Sequence, residues 1–263
     1  MLTIDDEYRL EDFGMYVSSG FADPNTPQFS DTTLKVPKKP GRTLIRQVTD
    51  IREIELPIQF AHYRNTDTQG KLDKLSDLFY DDEGNRKRVK ISLDHWQGKY
   101  VYGYLANPIS SDRSDIIQSL NLSFICYDPY KYSPVYSDEI LWGSEELTFE
   151  SQYILGHEGS DGLVSVTDNT SINVYVDGLV VYPTIELQGT ANRLTITNSG
   201  QSIVFPDFND SNWIVERFNS WQDDQERFIS AYKFKLNKGK NTIQISGSDM
   251  NLQIRIKYKD LYK

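Results

Sequence analysis

The sequence predicts a mainly β protein in two parts, a β domain carrying one helix followed by a β-sandwich or jelly roll. Three observations predict it. The chain holds 17 Tyr and 12 Phe among 263 residues, and aromatic residues, like β-branched ones, fit the pleated, half-buried surface of a sheet. One stretch, Thr68 to Tyr80, repeats apolar residues at helical spacing. Past Ser133, about eight short strand candidates alternate with Gly- and Asn-bearing turns, the pattern of a sandwich or jelly roll.

Residues 1–60 alternate short apolar runs with loop chemistry, as in Ser18-Ser19-Gly20 and Ala22-Asp23-Pro24. Val36-Pro37-Lys38-Lys39-Pro40-Gly41-Arg42 reads as a rigid, basic loop or exposed arm. Val48, Arg52, Ile54, Leu56 and Ile58 lie in a β-favouring stretch, where Pro57 argues for an edge or a bulge. The helix that follows has Thr66 and Gln69 at capping-box spacing. Leu72, Leu75, Leu78 and Phe79 make its single apolar stripe, which predicts a helix lying on a sheet. Gly84 suits the left-handed turn beyond it. Val89 to Leu93, a turn at His95-Trp96-Gln97-Gly98, and Lys99 to Ala106 form a hairpin pattern.

The strand at 116–127 is the most legible element. Leu120, Leu122, Phe124 and Cys126 alternate with Ser119, Asn121 and Ser123, so one side is apolar. Pro129 then removes a backbone donor and ends the ladder. The Tyr-rich run to Ser133 is too short to fold alone and reads as a seam. It divides a domain of residues 1–133 from one of residues 134–263. In the second, strands are expected at 163–168, 171–177, 180–188, 192–197, 201–205, 228–236, 241–246 and 251–258. Turns fall at Asp177-Gly178, Asn198-Ser199-Gly200, Asn237-Lys238-Gly239-Lys240 and Ser246-Gly247-Ser248.

Composition narrows the function. The formal net charge of −10 divides into −3 before and at Ser133 and −7 after it, so a phosphate backbone is repelled by the second half and no nucleic-acid partner is expected. The one basic run, Arg86-Lys87-Arg88-Val89-Lys90, reads as the solvated edge of a strand. The single Cys126 allows no internal disulfide, and as part of an apolar strand face it reads as an inert thiol. His62, His95 and His157 show no ligand spacing, so no metal or cofactor is expected. The stretch Met1 to Glu7 lacks the basic and apolar regions of a signal peptide, and no apolar run reaches spanning length. Synthesis in a cytoplasm without membrane insertion is expected.

Catalysis finds no support either. Carboxylate pairs such as Asp223-Asp224 and Glu145-Glu146 arise readily among 38 acidic residues, and a glycosidase needs two that face one cleft. There is no Gly-x-Ser-x-Gly elbow and no phosphate-binding glycine loop. No catalytic, cofactor or metal residue is assigned. Trp142, Trp213 and Trp221 could form a sugar-stacking platform, against the plainer reading that such large rings fill a core.

The segment from Val36 to Ser133 resembles the distal tail protein (Dit) family of long-tailed bacteriophages. The resemblance rests on Pro40-Gly41-Arg42, Asp50-Ile51-Arg52-Glu53-Ile54, the helix Thr68 to Tyr80, Asp82-Glu83-Gly84, Gln97-Gly98-Lys99-Tyr100 and Phe124 to Ser133, in that order. Val176 to Gly178 with Tyr182 to Gly189 is similar to the opening of the family's C-terminal sandwich, and Leu236 to Ile243 to its closing hairpin. Asp207 to Arg227 departs from the pattern of a short Dit.

The resemblance implies an N-terminal β-sandwich or split-barrel-like domain that builds a ring of six subunits at the tail tip, and a galectin-like, jelly-roll sandwich that projects from it. It further implies a structural hub of the virion baseplate without catalysis. The partners would be the tail tube protein, the tail-associated lysin or tail fibre protein and, in some phages, a receptor-binding protein. A saccharide-binding module for host attachment is the alternative. A stable hexamer favours the hub, and a monomer that binds glycan favours the module. The ring reading also has physical support, because edge strands invite neighbours and closed rings need heterologous interfaces.

Overall fold

The computed structural model describes residues 1–19, 21, 25–60, 68–109, 111–113, 118–139 and 162–263. Thr66, His62, Trp142, Glu145, Glu146 and His157 therefore lie outside the described residues. By their contacts the residues fall into two units, Met1–Tyr132 with Lys263, and Ser133–Tyr262. The chain is mainly β, with one α-helix among the described residues.

In the first unit the strands are β1 (Leu2–Ile4), β2 (Tyr8–Arg9), β3 (Met15–Val17), β4 (Phe29–Leu34), β5 (Thr43–Thr49) and β6 (Arg52–Phe60). Helix α1 (Thr68–Asp77) follows, then β7 (Val89–Leu93), β8 (Tyr100–Leu105), β9 (Ser111–Arg113), β10 (Gln118–Cys126) and β11 (Lys131–Tyr132). The main sheet runs β2-β1-β7-β8-β10-β6-β3 and is antiparallel throughout. The period-two pattern of β10 does what it predicts: Leu120, Leu122, Phe124 and Cys126 are buried. They join Ile54, Leu56 and Ile58 of β6 and Val89, Ile91 and Leu93 of β7 in one cluster.

The helix puts Leu72, Leu75 and Phe79 into the same cluster, and the Phe79 and Phe124 rings lie 5.5 Å apart. It ends at Asp77, three residues before the expected Tyr80. Leu78 and Phe79 turn back on Leu75 and Ser76 through i→i+3 bonds, which keeps Phe79 on the buried face without prolonging the helix. Gly103 leaves room for core side chains where β8 passes between β7 and β10, since a Cβ there would lie 2.9 Å from the Ile91 Cδ1 and 3.1 Å from the Cys126 sulfur and both would have to shift.

Two expectations for this unit are corrected. Pro57 is not on an edge, because β6 pairs with β10 on one side and β3 on the other. The Pro57 carbonyl accepts the Ser18 N–H. Its missing N–H, on the same side of the strand, therefore falls at the last rung of the short β3 ladder and costs nothing further along. Nor does the basic run border an edge, since β7 lies between β1 and β8. Lys87 pairs with Asp5 and Lys90 with Asp6, while Arg88 and Lys90 stack over Tyr102 and Tyr100. The run is tied to its neighbours, while Arg86, Lys87 and Arg88 stay exposed to solvent as expected.

In the second unit the strands are β12 (Leu163–Val166), β13 (Thr170–Val176), β14 (Thr184–Asn198), β15 (Gln201–Val204), β16 (Phe208–Val215), β17 (Ser220–Gln222), β18 (Gln225–Glu226), β19 (Gly239–Lys257) and β20 (Leu261–Tyr262). They pair as β12-β19-β14-β16-β17-β18, with β13 added to β19 and β15 to β14. β14 and β19 are long, and each changes its buried face once. In β14 the buried residues pass from Ile185 and Leu187 to Leu194 and Ile196; in β19 they pass from Ile243 and Ile245 to Leu252 and Ile254.

The cause is one extra residue in each strand. Thr190 pairs with Asn251, Asn192 with Ser248, and Thr195 with Ser246. β19 thus spends an additional residue in the first step and β14 in the second. Arg193 and Asp249 take positive φ there, 53° and 51°, as bulged residues do. The two bulges compensate, so pairing leaves the bend in the register in which it entered. Both arms of the bent sheet face one core, centred on Trp213, Phe205, Phe208 and the Val, Leu and Ile of every long strand.

Three expectations here are overturned. Ser246-Gly247-Ser248 is not a turn but the interior of β19, where the glycine marks the bend. The expected strand at 228–236 is irregular: the Ala231 and Phe234 N–H groups close local turns, and Leu236 makes a lone bridge with Val181. β13, not 228–236, pairs with residues 239–245. Conversely, Asp207 to Arg227 holds three strands, with Phe208, Ser211, Trp213 and Val215 buried along β16.

Candidate assembly surface

β4 and β5 form a hairpin that pairs with no other strand among the described residues. Phe29, Thr32, Thr33 and Leu34 in β4 and Thr43, Leu44, Ile45, Val48 and Thr49 in β5 favour strand, and the Pro37-Lys38-Lys39-Pro40-Gly41 cluster turns the chain between them. Lys38 and Gly41 hold positive φ, 64° and 82°. The expected basic arm at Val36–Arg42 is therefore the tip of a longer element. At its root the Gln28 N–H donates to Ile51 and the Asp50 N–H to Gln28.

None of residues 28–50 is buried. Phe29, Leu34, Val36, Leu44, Ile45 and Val48 are 39–61% exposed. Lys35, Lys38, Lys39, Arg42 and Arg46 stand against only Asp31 and Asp50 on the same segment. A lone two-stranded hairpin is marginal in water, and clustered exposed apolar residues with open strand edges mark a contact surface. The sequence signal for it is Thr32-Thr33-Leu34 and Thr43-Leu44-Ile45 on either side of the turn cluster, where no alternation marks the two arms as a pair.

The other candidates take structural places. Cys126 is buried, and burial pushes its thiol up to about 12, so it is no nucleophile at neutral pH. His95 packs against Phe21 and Trp96. Asp223 and Asp224 form a tight turn with positive φ, and Asp223 accepts the Asn212 N–H at 2.8 Å. Trp213 is 1% exposed in the core, so it belongs to no sugar platform; Trp221 is half-buried on the opposite face of the sheet. Arg52, which sequence reasoning named only as part of a pattern, is fully buried, and its Nε donates to the Pro129 carbonyl at 2.8 Å. Among the described residues no group of three or more His, Cys, Asp or Glu could hold a metal, and no helix is long and apolar enough to cross a membrane.

Residues 8–126 match the family described as the phage tail protein RIFT-related domain. The fold as a whole is similar to the SPP1 Dit (gp 19.1) protein, described as a paradigm of the hub adsorption apparatus in phages infecting Gram-positive bacteria. That alignment has a TM-score of 0.65 and 17% identity, and covers 98% of this chain and 99% of that one. At this identity the likeness establishes the fold. The phage P2 baseplate in its activated conformation with Ca aligns at a TM-score of 0.45 and 9% identity, over 95% of this chain and 92% of that chain. No curated protein matches the chain in sequence.

Proposed function

We propose that the chain, whose residues 8–126 match the phage tail protein RIFT-related domain, is a distal tail hub protein at the tip of a long-tailed phage. Six copies close a ring through the first unit. The ring joins the tail tube protein to the tail-associated lysin or fibre protein, and to receptor-binding proteins where the phage has them. The second unit, a galectin-like sandwich in this reading, is dispensable for closure. The role is structural and needs no catalysis.

The exposed β4–β5 hairpin carries the reading. Its apolar residues and basic tip have no partner among the described residues of the chain, and a neighbouring subunit supplies both a surface to cover Ile45 and Leu44 and acidic groups for the lysines. Each subunit gives one hairpin and receives one, which is the head-to-tail contact that closes a ring. The first half also carries the smaller charge, −3 against −7, so packing it round an axis meets less self-repulsion.

The test is the mass of the full chain at micromolar concentration by light scattering, alone and with the tail tube protein. Six copies in either sample support the hub. A monomer in both overturns it.

A further inference from the structure

We propose that the outer face of the second unit's sheet binds a short, uncharged oligosaccharide. The inference goes beyond the hub reading, uses the second unit alone, and would leave that reading standing if it failed.

The face is ordered by the strand register. Leu163 lies opposite Arg255, Arg255 opposite Glu186, Glu186 opposite Ile214, and Ile214 opposite Trp221. Directly opposed residues share a face, so five strands hold one row. Beside it runs a second row, Ser165, Gln253, Gln188 and Asn212. Their sequence neighbours Ile254, Leu187 and Trp213 point the other way, into the core. A concavity of about 360 Å³ opens over the two rows, lined among others by Leu163, Glu186, Gln188, Asn212, Ile214 and Gln253. That lies at the small end of the roughly 300–1,000 Å³ range of ligand sites, so the occupant is short.

The chemistry of the lining selects the ligand class. Three primary amides stand side by side on adjacent strands, each with two N–H donors and an acceptor oxygen. Sugar hydroxyls, which donate and accept at once, match such a row. The charged groups cancel one another. Glu186 meets Lys257 at 2.9 Å and Arg255 at 3.6 Å, and Asp138 meets Arg255 at 3.8 Å and Lys257 at 4.0 Å. Two acids and two bases in one network leave no net charge for a phosphate or a cation. Trp221 and Ile214 at one end of the row, and Leu163 at the other, give apolar surface for the C–H faces of a pyranose ring.

The test titrates the full chain with neutral trisaccharides of glucose, galactose and N-acetylglucosamine, in α and β linkages, by calorimetry and ligand-observed NMR. A glycerol phosphate polymer serves as the anionic probe. At least one trisaccharide is expected to bind with a Kd of about 1 mM or tighter, and Gln188→Ala, Asn212→Ala and Trp221→Ala should each weaken it about tenfold. Circular dichroism and the melting curve should be unchanged, because these side chains lie outside the core. If Trp221→Ala unfolds the chain, the two amide variants decide the matter. Three results overturn the proposal: no trisaccharide binds, binding survives all the substitutions, or only the anionic polymer binds.

Discussion

Replacing Leu44 and Ile45 together by Ser separates the assembly role of the hairpin from its folding. The two side chains are 53% and 61% exposed in the single chain, so a partner can still remove that share of each from water. Fully burying such a side chain is worth about 1.5–3 kcal/mol. The exposed share is then about 0.8–1.6 kcal/mol for Leu44 and about 0.9–1.8 kcal/mol for Ile45. Each subunit contact should weaken by about 1.7–3.4 kcal/mol, roughly 20- to 250-fold in dissociation constant. Folding should barely notice, since exposed substitutions usually stay within about 0.5 kcal/mol. Mass photometry across a dilution series reads the assembly midpoint, and thermal melting at low concentration reads the fold. Assembly at wild-type concentrations would refute the reasoning, as would a lower melting temperature in the monomer.

The helix and one buried carboxylate make further tests. Leu75→Ala should lower the stability of the first unit by about 2–5 kcal/mol in denaturant melts, because Leu75 is fully buried in the core; a loss below about 0.5 kcal/mol would mean the site collapses freely or is not packed. Asp260 is held above the usual carboxylate range by burial, against the hydrogen bonds it accepts from the Gly178 and Asp177 N–H groups. A raised carboxylate favours the protonated native state, so stability falls as the pH rises through and above the ordinary range. Asp260→Asn keeps an acceptor oxygen without the charge. It should be more stable than the wild type at neutral pH, with the difference vanishing once the pH drops below the ordinary carboxylate range. A variant less stable at neutral pH would show that the charge itself is needed.

What could be read from the sequence follows the physics of each segment. β10 was legible because its period-two pattern is unbroken from Leu120 to Cys126 and a proline ends it. The β7–β8 hairpin was legible because Gln97-Gly98 supplies a left-handed turn, with φ of 55° at Gln97. β16 was hidden because Ser211 takes a buried position and Asn209-Asp210 looks like a turn. The run 228–236 misled for the opposite reason: its apolar residues fill the core from irregular backbone. At Gly247 the glycine signal was real, but a bulge and a turn call for the same residue, and only pairing partners tell them apart. The candidate surface was half visible. The basic tip stood out by composition, while the arms that carry it gave no alternation, since neither face is buried.

The compensating bulges at Arg193 and Asp249 make the curl of the second unit a property of chain length as well as of residue type, since a Cβ at Gly189 beside the bend would lie 2.2 Å from the Asn251 carbonyl oxygen. Any amino acid tolerant of positive φ can occupy either position, so substitutions there should be absorbed. Removing one of the two residues is a different matter, because every rung beyond it slips by one and a core-facing row turns to water. Removing both restores the pairing but straightens the strands, and the two arms then have no common interior to enclose. Curvature in this sheet is therefore counted in whole residues. It cannot drift by small steps, and a lineage that changes it must edit two strands, 56 positions apart in the chain, at the same time.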